Sequence, residues 1–362
     1  MSRARVARRI ATAAAFGGGG ISLLGGATVG LLLTEARYAR RRVLDGLPED
    51  EPPAADGVYG TAFAAAAGVP WRLAILGDST AAGLGVGQAG QTPGALLASG
   101  LAAVSERPVE LHSVALSGAR SLDLERQVSL LLTEPGRAPV PDVCVIMIGA
   151  NDITGRVAPA ESVRHLSDAV SRLRTAGCQV VVGTCPDLGS VEPVGQPLRW
   201  VARRLCRQLA AAQTIAVVEL GGRTVSLGTL LGPGFAAHPG ELFGPDRYHP
   251  SAAGYATAAM AVLPTLCAAL GVWPEDRRPG VPRRERLLPV DRAAARAVLE
   301  GGTEVSSAER GSRRAPWALL KRRRRRPLPT EAGEPVGRGD ERGVADGERP
   351  EGRLGRSSEP VT

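Results

Sequence analysis

The chain has 362 residues, 44% of them hydrophobic and 3% aromatic, with a formal net charge of +8. That length admits one α/β domain of about 200 residues with flanking segments, and the apolar share suffices for a core. The cations crowd into Arg3–Arg9, Arg37–Arg42 and Lys321–Arg326; a charge carried by flanks and not by one folded face argues against nucleic acid as a partner.

Ile10–Thr34 is a run of 25 residues without a charge, and a helix of about 20 apolar residues spans a bilayer. Its glycines (Gly17–Gly20, Gly25, Gly26, Gly30) weaken a soluble helix but are tolerated in lipid. Residues 1–34 therefore read as a single-pass N-terminal membrane anchor. The alternative is a signal segment cleaved on secretion, for which no small-x-small site follows the run. Arginines on both sides leave the orientation open. Residues 35–70, with "DGLPEDEPPAADG", read as a charged, Pro/Ala-rich linker.

From Trp71 short apolar runs alternate with helical periods. "WRLAILG" (71–77), "VELHSVAL" (109–116), "DVCVIMIG" (142–149), "CQVVVGTCP" (178–186) and "IAVVEL" (215–220) are predicted strands. Between them, Leu122, Leu124, Val128, Leu131 and Leu132 mark one helix, and Val163, Leu166, Ala169, Val170 and Leu173 mark another. A third holds Leu198–Ala211, and Ser251 caps a last one running from Ala252 to about Leu270. Such alternation predicts an α/β domain over 71–272, with five parallel strands covered by helices on both faces. Ligands bind such sheets at the carboxyl ends of the strands. That rim is where Ser79, Ser117–Gly118 and Asn151–Asp152 fall, each directly after a strand. Residues 273–362 lose the apolar periods and read as a disordered tail rich in Arg, Pro and Gly. Within it "PWALLKRRRRRP" (316–327) either meets anionic lipid headgroups or is a solvated basic run.

The cysteines, Cys144, Cys178, Cys185, Cys206 and Cys267, are odd in number and show no metal-ligand spacing. They read as small buried hydrophobes, with no metal expected.

Four stretches then line up: "GDST" (77–80), "SGA" (117–119), "GAND" (149–152) and "DRYH" (246–249). Cleaving an ester needs a nucleophile, a base and a site for the developing oxyanion. Ser79 at a strand end presents its hydroxyl at the rim. His249, one of four histidines, precedes the last helix and suits a general base. Asp246, three residues earlier, can hold the tautomer of His249. Singly these are turn residues; together the four blocks resemble the SGNH/GDSL hydrolase family, over roughly residues 71–270.

The resemblance implies a three-layer, flavodoxin-like α/β/α sandwich and a serine hydrolase of carboxylic esters, working through an acyl-Ser79 intermediate without cofactor or metal. It implies an oxyanion hole from the N–H groups of Ser79 and Gly118 and the side-chain amide of Asn151. Thr80 stands where the family usually has leucine. Asp78 and Asp152 read as loop braces. The family's substrates range from simple esters and lipids to carbohydrate acetyl esters, and an anchored chain fits lipid or envelope esters.

Three rival readings are weaker. Gly85-x-Gly87-x-x-Gly90 matches a dinucleotide string but begins eight residues after Gly77, when the rim is already taken by Asp78–Ser79. "GDSTA" lacks the last glycine of the nucleophile elbow of α/β-hydrolases. A catalytically inactive, membrane-anchored interaction protein sits poorly with a complete triad. His112, His165 and His238 read as packing residues. "CPDLG" (185–189) and the loop 222–245 read as pocket walls, with Leu230, Leu231, Phe235, Leu242 and Phe243 either an acyl-binding surface or a loop packing on itself.

Overall fold

The structure is a computed structural model describing residues 28–39, 41–43, 45, 46, 51–64, 68–132, 140–272, 292 and 304–306. In chain order it contains a helix α1 over 28–39, continued at 41–43, then β1 (Gly57–Tyr59), β2 (Trp71–Gly77), α2 (Ser79–Ala82), α3 (Pro93–Ser105) and β3 (Val109–Ser113). There follow α4 (Leu124–Leu132), β4 (Val143–Met147), α5 (Ala150–Thr154), α6 (Pro159–Thr175), β5 (Gln179–Gly183), α7 (Leu198–Glu219) and β6 (Arg223–Val225). Last come α8 (Leu227–Ala237), α9 (Pro239–Leu242), α10 (Ala252–Ala269) and β7 (Glu304–Ser306).

The sheet runs β1-β3-β2-β4-β5-β6-β7. The five inner strands are parallel, and β1 and β7 add antiparallel edges. The parallel order reverses direction between β2 and β4, and a crevice opens at the carboxyl ends of the strands at such a point.

Strand alternation sorts the core into two layers. Leu73 and Ile75 of β2 join Val143, Val145, Leu97, Leu101, Val262 and Leu266 on the α3/α10 face. Ala74 and Leu76 join Cys144, Ile146, Val128, Leu166 and Leu173 on the α4/α6 face. Both faces of β2 are buried, which is why its sequence is a continuous apolar run.

The structure departs from the sequence-based reading at three points. The fifth parallel strand is not 215–220; those residues finish α7, whose buried positions Leu209, Ala210, Gln213, Thr214, Val217 and Val218 keep a helical spacing. The chain turns at Gly221–Gly222, and β6 is only three residues long. Second, the sheet exceeds five strands, because β1 lies in the segment read as linker and β7 in the segment read as tail. Strands of three residues are too short to show a period, yet they cover the backbone groups of the edge strands. Third, α3 escaped the sequence pattern. It is buried along most of its length, so it has no polar stripe. Its start is signalled only by Pro93 after the Thr92 cap, whose hydroxyl accepts from Ala95 N–H.

All five cysteines are free and buried, as read from the sequence. Among the described residues one helix, Ala252–Ala269, is long and apolar enough to cross a membrane. It is α10, whose Tyr255, Val262 and Leu266 are buried in the domain core. Most of the expected anchor over 1–34, residues 1–27, lies outside the described residues, as does the basic island 316–327; residues 28–34 are helical.

Candidate active site

The end of β2 delivers Ser79. Gly77 adopts φ +134°, and a side chain there would stand 1.9 Å from the Met147 carbonyl oxygen, so only glycine lets β2 and β4 approach this closely. Asp78 caps α2, its carboxylate accepting from Thr80 N–H at 2.9 Å, and Ser79 opens that helix. The first N–H groups of a helix have no partner within it. Gln127 of α4 clasps the strand end from below: its carbonyl accepts from Gly77 N–H at 2.8 Å and its amide donates to Gly77 O at 2.9 Å.

His249 arrives from the turn before α10. Its Nε2 lies 2.9 Å from Ser79 Oγ, across 170 residues of chain. Its Nδ1 lies 2.5 Å from Asp246 Oδ2. The other Asp246 oxygen accepts from the N–H groups of Tyr248 and His249, each at 2.9 Å. All three side chains are buried. Burial alone would raise the Asp246 pKa, but the His249 and backbone N–H bonds outweigh it and hold the carboxyl below the usual carboxylate value. The Tyr248 ring stands edge-on to the His249 imidazole, centroids 4.8 Å apart. The sequence-predicted Ser79, His249 and Asp246 thus form one continuous chain of hydrogen bonds.

The other two blocks meet at the same rim. Leu116 N–H donates to Gly77 O at 3.0 Å, which seats the following loop beside the β2 end. Gly118 has φ +80° and open space where a side chain would project. Asn151, in the first turn of α5, donates from its amide to Ala119 O at 3.0 Å. That nitrogen carries a second proton. Asp152 braces the loop from beneath, accepting from Ser121 N–H and from the hydroxyls of Ser121 and Ser162.

Asp78 is buried between β2 and α2. Its burial pushes its pKa up to about 6, although Thr80 N–H, His249 and Ala81 N–H each oppose that rise.

The glycines after Ser79 have a packing role. A side chain at Gly85 would lie 2.9 Å from Pro250 O and 3.3 Å from His249 Cβ, so the string that resembles a dinucleotide motif lets the histidine turn close over the rim. His112 pairs with Asp56 and His165 contacts Arg164, both outside the hydrogen-bonded chain of Ser79, His249 and Asp246. The segment 222–245 is a strand and two helices; Phe235 and Phe243 pack edge to face and are buried, and with Leu231 they line a recess of about 80 Å³ beside Asp78 and Tyr248.

Two residues at this rim escaped the sequence reading. Gln127 left a signal, being a polar residue on the buried stripe Leu124, Gln127, Val128, Leu131. Gln213 does the same service on α7, accepting from Cys185 N–H at 2.8 Å and donating to Ile148 O at 3.1 Å.

The profile of the GDSL-like lipase/acylhydrolase family matches residues 75–257. The GDSL-like esterase Rv1075c of Mycobacterium tuberculosis is 44% identical over 272 residues, 72% of this chain and 83% of that protein. The chain belongs to the GDSL-like lipase/acylhydrolase family. As a member it is a carboxylic ester hydrolase, and the parallel sheet flanked by helices is the family's architecture. Similar solved structures include TesA (23% identity, 55% of this chain and 99% of that one, TM-score 0.43). Another is Axe2, an acetylxylan esterase from Geobacillus stearothermophilus (22% identity, 57% and 95%, TM-score 0.41). The matched segment of this GDSL-like hydrolase contains all four motif blocks and begins well after α1.

Proposed function

We propose that this GDSL-like hydrolase cleaves esters by acyl transfer to Ser79. His249 Nε2 takes the hydroxyl proton as Oγ attacks the carbonyl carbon. It then returns that proton to the departing alcohol oxygen, leaving an acyl-Ser79 ester. A water, deprotonated by the same imidazole, hydrolyses the ester and restores the serine. Asp246 holds Nδ1–H and stabilises the imidazolium. The N–H groups of Ser79 and Gly118 and the free proton of the Asn151 amide receive the oxyanion.

The observation that carries this reading is the Ser79–His249–Asp246 hydrogen-bond chain. Ser79→Ala is expected to reduce hydrolysis of p-nitrophenyl butyrate at least 10³-fold with the fold intact; retained turnover in that variant contradicts the assignment. The charge-free stretch Ile10–Thr34 supports a membrane-held enzyme acting on lipid or envelope esters.

A further inference from the structure

Asp246 sits on an irregular turn. Arg247, next to it, has φ +53°, a left-handed conformation that side chains rarely adopt. Two contacts hold this turn from outside. Arg247 pairs with Glu192 at 2.8 Å, on the loop leading into α7. The second support comes from the far N-terminal side of the chain, outside the segment that matches the family. The turn that follows α1, where Gly46 N–H donates to Val43 O at 3.2 Å, runs so close that a side chain at Gly46 would stand 2.9 Å from Asp246 Cα and 3.3 Å from its Cβ. Arg42, Gly46, Glu192, Arg199, Asp246 and Arg247 line one shared groove there. The segment is itself fixed by Glu35, whose carboxylate accepts from Leu198 N–H at 3.0 Å across 163 residues. Leu198 is the first residue of α7, so Glu35 also satisfies one of that helix's unpaired N–H groups.

We propose that the α1 segment is a positioning element of the active site: Gly46 buttresses the backbone of Asp246, and Glu35 clamps the buttress to the start of α7. The inference rests on the reading of Asp246 as the residue that orients His249. The Gly46 backbone lies outside the left-handed region. A side chain there is conformationally ordinary, and only the contact with Asp246 opposes it. The obstacle is backbone, which cannot swing aside, so the acid turn or the helix end must move. A movement well under 1 Å at a catalytic group is enough to slow turnover, since 1 Å costs about 10²-fold.

The test is steady-state kinetics on the full-length chain, with Gly46→Val, Glu35→Ala and Glu35→Gln each made in the native and the Asp246→Asn background. Gly46→Val is expected to lower kcat about tenfold with KM within about twofold. In the Asp246→Asn background it is expected to lower kcat no further, because the group it acts through is already lost. Glu35→Ala is expected to lower kcat about threefold. Glu35→Gln is expected to restore it, since its amide carbonyl still accepts from Leu198 N–H. An unchanged kcat in both Gly46→Val and Glu35→Ala, or the same fall in both backgrounds, overturns the proposal. Where Gly46→Val fails to fold, as judged by circular dichroism, the Glu35 pair decides alone, and equal kcat values in Ala and Gln overturn it. If Asp246→Asn itself turns over at the native rate, the triad reading fails and takes this inference with it. A crippled Asp246→Asn beside a normal Gly46→Val overturns the buttress alone.

Discussion

The two arms of the site are built differently. Ser79 stands two residues beyond β2, a strand paired on both sides, with Leu73, Ala74, Ile75 and Leu76 at most 1% exposed. Its last residue is gripped through both N–H and C=O by Gln127. Asp246 and His249 stand on a turn between Phe243 and Pro250, which is closed by one bridge and by Gly244 N–H donating to His249 O at 2.8 Å. Further bonds run within the turn, from Arg247 N–H to Gly244 O and from Tyr248 and His249 N–H to the Asp246 carboxylate, and outside support comes from Gly85, Glu192 and Gly46, all remote in sequence. The nucleophile is positioned by the core that stabilises the domain. The acid–base pair is positioned by a short turn and by contacts remote in sequence. Damage to the first arm should cost stability and activity together; damage to the second should cost activity alone.

His249→Ala breaks the comparison hardest. It is expected to lower kcat at least 10³-fold while the melting temperature changes little; a large loss of stability would mean that the turn is as much a part of the core as β2. Asn151→Ala removes one oxyanion donor and is expected to lower kcat roughly 10²–10³-fold at constant KM; a rise in KM alone would assign Asn151 to substrate binding. Gln127→Leu acts on the first arm. It orphans the buried Gly77 N–H and removes one of two donors to Gly77 O. Urea denaturation is expected to show about 2–3 kcal/mol of destabilisation, together with a fall in kcat; a loss confined to one of the two separates Gln127 from the nucleophile.

The smallest effect is expected at Asp78. Its pKa in the folded protein is raised to about 6 by burial, so the folded state holds the proton more tightly than the unfolded chain. The stabilisation this gives is complete below the unfolded carboxylate pKa and is lost as pH rises through about 6. Asp78→Asn keeps an acceptor for Thr80 N–H and removes the buried charge. It is expected to be more stable than the native chain at pH 8, with the difference gone near pH 4. Equal melting temperatures at pH 8 would show the Asp78 charge to be better solvated than its burial implies.

The same contrast explains what could be read from sequence. β2, β4 and β5 were legible because strands buried on both faces are apolar throughout. Ser79 and Asn151 were legible because each follows such a strand, and Asp246 and His249 because they precede a capped helix. The end of α7 resembles a strand in sequence because Ile215-Ala216-Val217-Val218 is apolar and rich in β-branched residues, which local pattern cannot tell from a strand; the helical spacing of its buried positions emerges only from packing. Gly85 and Gly46 look like loop glycines. Their roles lie in contacts with residues some 165 and 200 positions away, which no local window contains.

The central claim is that Ser79 is the nucleophile and that His249 activates it. It is tested most directly by labelling the full-length chain with a fluorophosphonate and locating the adduct by peptide mass spectrometry. The account predicts a single stoichiometric adduct on the peptide containing Ser79, absent in Ser79→Ala and formed at least 10²-fold more slowly in His249→Ala. An adduct on a different serine, or labelling of Ser79 at the native rate without His249, would contradict it.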